Sequence, residues 1–284
     1  MDAADVAESR AVLPTFVVIG AMKTGTSSLA SYLREHPQVF MTTPKEPGFF
    51  SMRWDNGVDW YEALFDGAGD AVARGEASTN YTKAPTLPHV PERMAGVLPD
   101  VKLIYMVRNP ITRIRSQYIH NAANKGERRP IDVAVRDNPD YIAFSRHAWQ
   151  LELFLEHYPR EAILVLSSER LRVEREATLK DVFQFIGVDA DMRIPNLKTE
   201  FNRGADKRRI PAAIEYPRLW LNRVGIAQRF PESWREWSWQ ASKFGRIRAS
   251  VGDDLAAWIW DQLADDLARL RGLVGPEFWL WDRA

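Results

Sequence analysis

Apolar residues in this chain come in two rhythms, short continuous runs and stripes at helical spacing, and the two alternate. Thr15-Phe16-Val17-Val18-Ile19 is a β-branched and aromatic run of the kind that forms a strand buried on both faces. It leads through Gly20-Ala21-Met22-Lys23-Thr24-Gly25-Thr26-Ser27-Ser28 into Leu29 to Glu35, whose apolar residues recur at helical spacing, so a strand, a glycine-containing loop and a helix are expected in that order. Pro44, Pro47 and Gly48 impose a stiff loop, followed by a helical stretch around Trp60 to Phe65 and a short strand at Ala73 to Ala77. Pro91 marks a helix start, with Met94, Val97 and Leu98 on one face.

Val101 to Val107 is a second buried strand, ending at Arg108-Asn109-Pro110 and followed by a helix over Ile111 to Asn124. The stripe from Tyr141 through Phe144, Ala148, Leu151 and Leu155 predicts one helix over 141–158, stopping before Pro159. Ala162 to Leu166 reads as a third strand, and Leu179, Val182, Phe183 and Ile186 as a helix that ends at Gly187. Strands alternating with helices predict an α/β fold with a central, mostly parallel sheet and right-handed crossovers.

From Asn202 the alternation weakens. Arg203, Lys207, Arg208 and Arg209 precede Pro211, and eight of the eleven tryptophans fall between Trp220 and Trp281. Asp254 to Leu270 is the clearest helix there. The expected organisation is a flexible arm over 1–12 and a single domain over 13–284, with 202–284 supplying a loop that closes over a ligand and Trp-rich helices.

Composition narrows the classes. The chain has 284 residues and no cysteine, which removes disulfides, Fe–S clusters, Cys-type zinc sites and thiol nucleophiles. Lys+Arg and Asp+Glu both number 38, and that balance argues against a general nucleic-acid binder. No apolar run reaches the ~20 residues that span a bilayer. The acidic start Met1-Asp2-Ala3-Ala4-Asp5 is unlike a secretory leader, so a cytoplasmic location is expected.

The loop between Phe16 and Leu33 carries the first chemistry. Its backbone N–H groups stand at a helix N-terminus, Gly20 and Gly25 allow close approach, and Lys23, Thr26, Ser27 and Ser28 add donors, so it suits a phosphate-like anion. The spacing of Gly20 and Gly25 fits a nucleotide-binding P-loop, but the lysine lies inside the loop at position 23 and Thr26 follows the second glycine. The plainer alternative is a helix capped by Thr26 or Ser27 with a solvated Lys23. The second strand ends in Arg108, where P-loop kinases place a metal-binding Asp; a cation there favours neutralising an anionic ligand with side chains. A surface ion pair would equally explain Arg108 taken alone. Ser116, two helical turns on, can face the same ligand.

These residues together resemble the sulfotransferases that use 3′-phosphoadenosine 5′-phosphosulfate. Lys23-Thr24-Gly25-Thr26-Ser27-Ser28-Leu29 is similar to that family's 5′-phosphosulfate loop, and Arg108-Asn109-Pro110 with Ser116-Gln117-Tyr118 to its 3′-phosphate segment. Lys45-Glu46-Pro47-Gly48-Phe49-Phe50 resembles the segment of the bacterial and heparan-sulfate branch that carries a catalytic glutamate. Similarity extends through Gly75 to Tyr81 and Trp149 to Asp189, so it spans about residues 14–210. Two departures stand out. Ala77 replaces a lysine near the acceptor in the heparan-sulfate enzymes, which counts against a heparan-like polyanion, and Lys207-Arg208-Arg209 only partly matches the branch's late cofactor loop, with Arg208 keeping the spacing to Pro211.

The resemblance implies a P-loop-like three-layer fold and in-line sulfuryl transfer to a hydroxyl or amine without a metal. Glu46 is then the general base and Lys23 the cation that stabilises the leaving phosphate. Phe49, Phe50 and neighbouring tryptophans would desolvate Glu46 and raise its pKa, whereas its plainer reading is a loop carboxylate paired with Lys45. The cofactor contacts implied are Lys23, Thr24, Gly25, Thr26, Ser27, Ser28, Arg108, Ser116, Lys207, Arg208 and Arg209. Lys45, Trp54, Tyr81, His120 and Trp149 are candidates for the acceptor pocket, with His120 and His147 as rival bases. The expected acceptor is a small molecule, a lipid or a carbohydrate, with a homodimer left open. A Mg-ATP-dependent small-molecule kinase and a non-catalytic nucleotide-binding scaffold are the alternatives.

Overall fold

The computed structural model describes residues 13–194, 208–209, 244–247 and 249–275, together with 278 and 281. Five parallel strands form the central sheet: β1 (Phe16–Gly20), β2 (Val39–Met41), β3 (Ala73–Ala77), β4 (Lys102–Val107) and β5 (Ile163–Ser167). Their order is β2-β3-β1-β4-β5, which puts β1 at the centre. The chain leaves β1 toward one edge of the sheet and later crosses to β4 on the other side. Such a reversal opens a crevice at the carboxyl ends of the strands, where α/β sheets bind ligands.

Strand pleat divides the core in two. Val17, Ile19, Leu103, Tyr105 and Val107 face one side, against Phe49, Phe50, Tyr61, Tyr81 and Leu151. Phe16, Val18, Ile104 and Met106 face the other, against Leu29, Leu33, Leu179, Val182 and Phe183. The second side is covered by α1 (Thr26–Arg34) and, after a short α9 (Ser168–Val173), by α10 (Arg175–Ile186), which stops at Gly187 in the left-handed conformation. The first side is covered by short helices α2 (Phe49–Met52) and α3 (Val58–Glu62), by α4 (Val90–Val97) and by α8 (His147–Leu155). A further cluster joins α5 (Pro110–Asn124), α6 (Ile131–Asp137) and the C-terminal α11 (Asp253–Val274) through Ile114, Ile119, Val135, Ile259 and Leu263. No helix among the described residues is long and apolar enough to cross a membrane.

The helix expected over 141–158 is two helices. α7 (Asp140–Ala143) ends early and α8 begins at His147, after Arg146 turns out of the helical region at φ −74°, ψ 76°. Side chains take over the backbone bonding at the break. The Tyr141 carbonyl accepts from the Arg113 guanidinium at 2.8 Å and from Ser145 Oγ at 2.7 Å. The buried Asp266 carboxylate of α11 then accepts the N–H groups of Ala148 and Trp149, both at 3.0 Å, capping α8 from another helix. β2, α6 and α9 are elements for which the sequence pattern gave no expectation.

Of the Trp-rich region, Trp258 lies on α11 with the Arg136 guanidinium 4.9 Å from its ring centroid, and Trp281 packs on the first core face near His147. Trp220, Trp234, Trp237, Trp239 and Trp279 lie outside the described residues.

Candidate functional site

At the end of β1 the chain turns through residues 21–25 before entering α1. Lys23 and Gly25 both have left-handed backbones, at φ 71° and 97°. Gly25 suits this conformation because it has no Cβ, and its carbonyl accepts the Ser28 and Leu29 N–H groups at 2.9 and 3.1 Å. The buried Thr24 side chain braces the turn, with Oγ1 donating to the Ala21 carbonyl at 2.7 Å. No side chain caps α1 and its first turn carries no acid. Thr26 is buried, whereas Lys23, Ser27 and Ser28 are half-buried and Gly25 is exposed. The capping alternative for Thr26 or Ser27 is therefore not adopted, and the helix N-terminus retains its capacity for an anion.

Arg108 closes the other side. Its Nη1 donates to the Lys23 carbonyl at 3.0 Å and its Nε to Thr112 Oγ1 at 2.9 Å. Burial lowers its pKa, and Glu169 partly opposes this. Asn109 caps α5, its Oδ1 accepting the Thr112 N–H at 3.2 Å, while its own N–H reaches Glu169 Oε1 at 3.1 Å. Ser116 is half-buried on the same helix.

Two buried groups hold this corner. Arg113 is fully buried and donates to Ser145 Oγ, Gln117 Oε1, the Tyr141 carbonyl and, at 3.4 Å, the Met22 carbonyl in the β1–α1 loop. Its burial lowers its pKa to about 9. His147 pairs through Nδ1 with the Tyr105 hydroxyl at 3.0 Å and through Nε2 with the Arg108 backbone carbonyl at 3.1 Å. Burial, reinforced by Arg113, lowers its pKa to about 3, so it is a neutral brace for Arg108 and not a base facing an acceptor. His120, half-buried on α5, lies 3.3 Å from Asn124 Nδ2 through Nδ1.

Glu46 lies on the loop before α2, with φ 64°. Its Oε1 pairs with Lys45 Nζ at 2.8 Å, its Oε2 accepts from Thr79 Oγ1 at 3.2 Å, and its N–H donates to the Ala77 carbonyl at 3.1 Å. The expected aromatic desolvation is absent: the Glu46 side chain is 40% exposed, while Phe49 and Phe50 turn into the core, where Phe49 stacks on Tyr61 at 4.5 Å. Lys45 is thus the immediate partner of Glu46, as the plainer reading had it.

The acceptor candidates separate. Tyr81 is buried and its hydroxyl donates to Glu76 Oε1 at 2.5 Å, so it belongs to the core and not to a pocket wall. Trp54 is half-buried between Phe49 and the Arg93 guanidinium, and Trp149 is half-buried at the start of α8. Arg208 and Arg209 form β6 (Arg208–Arg209), paired antiparallel with β7 (Phe244–Arg246), and this ribbon lies against α5. Lys207 lies outside the described residues.

Glu76, Arg113 and Lys83 received no role from sequence reasoning. A charged residue inside an otherwise buried strand was the available signal for Glu76, as was an arginine on the apolar stripe of α5 for Arg113. Lys83 bonds Asn80 Oδ1, and burial, followed by Lys125, lowers its pKa to about 8 against the pull of Glu46 and Asp140.

A family model described as the sulfotransferase domain matches residues 13–204. The chain is 30% identical over 185 residues to human (Homo sapiens) heparan sulfate glucosamine 3-O-sulfotransferase 3B1, covering 62% of this chain and 46% of that protein. It is 37% identical over 109 residues to the membrane-associated sulfotransferase kil1 of Dictyostelium discoideum, covering 37% of this chain and 22% of that one. The chain spans about half the length of the heparan sulfate 3-O-sulfotransferases it matches. Among solved structures, a sulfotransferase from Alicyclobacillus acidocaldarius is similar with a TM-score of 0.67 and 25% identity, covering 93% of this chain and 96% of that one.

Proposed function

Because the chain belongs to the sulfotransferase domain family, we propose that it transfers a sulfuryl group from 3′-phosphoadenosine 5′-phosphosulfate to a hydroxyl or amine of an acceptor. The observation that carries this reading is the Arg108 guanidinium held on the Lys23 carbonyl, beside the N-terminus of α1 that no side chain caps, so that a strand-end cation and a set of helix-start backbone donors border the same loop. The residues present fit the donor's two anionic ends. The loop N–H groups of 23–28 with Lys23, Ser27 and Ser28 suit the 5′-phosphosulfate, and Arg108 with Ser116 suits the 3′-phosphate. Arg208 and Arg209, on the β6 strand that contacts α5, and Lys207 before them in sequence are the remaining cations we assign to the donor. Thr24 and Thr26 contribute through backbone, since their side chains are buried.

The donor supplies an activated sulfur–oxygen bond to a phosphate leaving group. Lys23 stabilises the negative charge that gathers on that phosphate. Glu46 takes the proton of the attacking hydroxyl or amine, and its exposure leaves it within reach of a bound acceptor. Lys45 holds its Oε1 and Thr79 its Oε2, which fixes the carboxylate in one orientation.

The acceptor we assign by class only: a small molecule, lipid or carbohydrate, Trp54 and Trp149 being the half-buried rings available to border it. Heparan sulfate is the substrate named for relatives. We do not extend it to this chain, because the resemblance puts the buried Ala77 where those enzymes are expected to have an acceptor-side lysine. A cytoplasmic location is part of the same reading. Thermal shift tests the proposal: 3′-phosphoadenosine 5′-phosphate should raise Tm in EDTA, and stabilisation by Mg-ATP alone would replace sulfuryl transfer with a kinase reading.

A further inference from the structure

Glu76 has no part in the reaction just described, yet it is fully buried within β3, and among the described residues its partners are three hydroxyls. Tyr81 donates to Oε1 at 2.5 Å, Tyr61 to Oε1 at 3.3 Å and Ser78 to Oε2 at 2.7 Å. A carboxyl group buried without a cation beside it is costly, and an apolar residue would serve the core better unless the group's acceptor oxygens do something specific.

The bond from Ser78 shows what that is. A serine hydroxyl has one proton; once it is committed to Glu76, the oxygen presents only lone pairs elsewhere. Those lone pairs meet the Gly48 N–H at 2.9 Å. Gly48 and Glu46 both have left-handed backbones, at φ 63° and 64°, on either side of Pro47. A non-glycine residue in that conformation persists only where its surroundings hold it. Three contacts from the end of β3 do so: the Ala77 carbonyl on Glu46 N–H, the Ser78 oxygen on Gly48 N–H and the Thr79 hydroxyl on the Glu46 carboxylate.

We infer that Glu76 is a positioning residue that orients the Ser78 hydroxyl as an acceptor and so holds the 46–48 loop, with its Glu46 carboxylate, in the geometry required for proton transfer. The inference rests on reading Glu46 as the base. The groups around Glu76 agree with it. Tyr61 and Tyr81 are pushed well above the usual tyrosine range by burial, with Glu76 adding to this, so both remain donors. Burial raises Glu76 itself to about 7; its three hydroxyl donors oppose this, and the Glu46 charge on the other side of Ser78 adds to the rise.

Amide hydrogen exchange on the full chain tests the placement without an acceptor. In Ser78→Ala and Glu76→Gln, the Glu46 and Gly48 amides should lose at least about tenfold in protection while Val17, Val18 and Ile19 in β1 keep theirs; Ser78→Thr, which retains the hydroxyl, should restore the loop. Should Glu76→Gln fail to fold, Glu76→Asp, which keeps the carboxyl but withdraws it from Ser78, takes its place beside the Ser78 pair and should give the same loss at Glu46 and Gly48. Release of sulfate from 3′-phosphoadenosine 5′-phosphosulfate to water should fall about tenfold in the same variants, with affinity for 3′-phosphoadenosine 5′-phosphate within about twofold of wild type. In a Glu46→Gln background the Ser78→Ala change should cost nothing further. Unchanged loop protection, or an equal loss in β1, overturns the inference. Undiminished sulfate release in Glu46→Gln instead overturns Glu46 as base, while the exchange result still judges the role of Glu76.

Discussion

The Arg108 guanidinium donates to the carbonyl oxygen of Lys23 at 3.0 Å, tying the end of β4 to the loop after β1. The partner is the carbonyl of a residue held at φ 71°, so Arg108 supports an unusual backbone as well as supplying charge. The side chain is also locked through Nε to Thr112, which leaves its position set before any ligand arrives.

Arg108→Lys should therefore not be conservative. A single ammonium cannot reach both the Thr112 hydroxyl and the Lys23 carbonyl with fixed geometry. Calorimetric titration with 3′-phosphoadenosine 5′-phosphate should show affinity falling by about tenfold or more, with Arg108→Ala at least as impaired. An Arg108→Lys variant with native affinity would mean that Arg108 contributes only charge.

Much of this corner is readable from sequence, because the signals are local. The run Thr15 to Ile19 followed by Lys23 and Gly25 announces a strand feeding an anion loop, and Arg108-Asn109-Pro110 marks a strand end and a helix start. The helix break at Phe144–Arg146 was not readable, since the apolar stripe runs straight through it; what breaks the helix is Arg113, about thirty residues earlier, reaching the Tyr141 carbonyl. The setting of Glu46 departs from expectation for a local reason. Phe49 and Phe50 follow it closely, but Gly48 starts a helix that turns their rings into the core and leaves the carboxylate outside.

Arg113 should be among the most sensitive positions in the chain. Its guanidinium is fully buried and satisfies two backbone carbonyls, a serine hydroxyl and a glutamine oxygen on different segments. Arg113→Met would fill much of the volume yet withdraw the donor from the Gln117 oxygen and the Met22 carbonyl and leave Ser145 and Tyr141 only each other, at about 3–5 kcal/mol by analogy with breaking other buried polar networks. Urea denaturation should show this loss. A midpoint within error of wild type would show that the network is replaceable by packing.

Gly75 tests the packing of the sheet centre. It pairs with Phe16 across β3 and β1, and a Cβ built on Gly75 would come within 2.2–2.6 Å of three carbons of the Phe16 ring. The ring is itself fully buried and has no room to yield. Gly75→Ala should cost roughly 1–3 kcal/mol through overpacking, more than is usual for so small a change. Combining it with Phe16→Leu should recover part of the loss, and a simple sum of the two costs would argue against this contact as the cause.

The pH dependence of stability should carry opposite contributions from two buried groups. His147 falls from an ordinary 6.5 to about 3, so between those values the unfolded chain binds the extra proton, and stability is lost as pH drops below 6.5. Glu76 rises from 4.5 to about 7, so between those values the folded chain holds the extra proton, and stability is lost as pH climbs through that range. Each slope approaches about 1.4 kcal/mol per pH unit where the shift is fully expressed. Between 4.5 and 6.5 the two oppose each other, and wild-type stability should be flatter there than in either single variant. Denaturation of His147→Gln at pH 5 and 6 should show stability falling with pH, the Glu76 contribution alone, whereas Glu76→Gln should show it rising. Parallel slopes in the two variants would mean that one of the two buried groups titrates near its ordinary value.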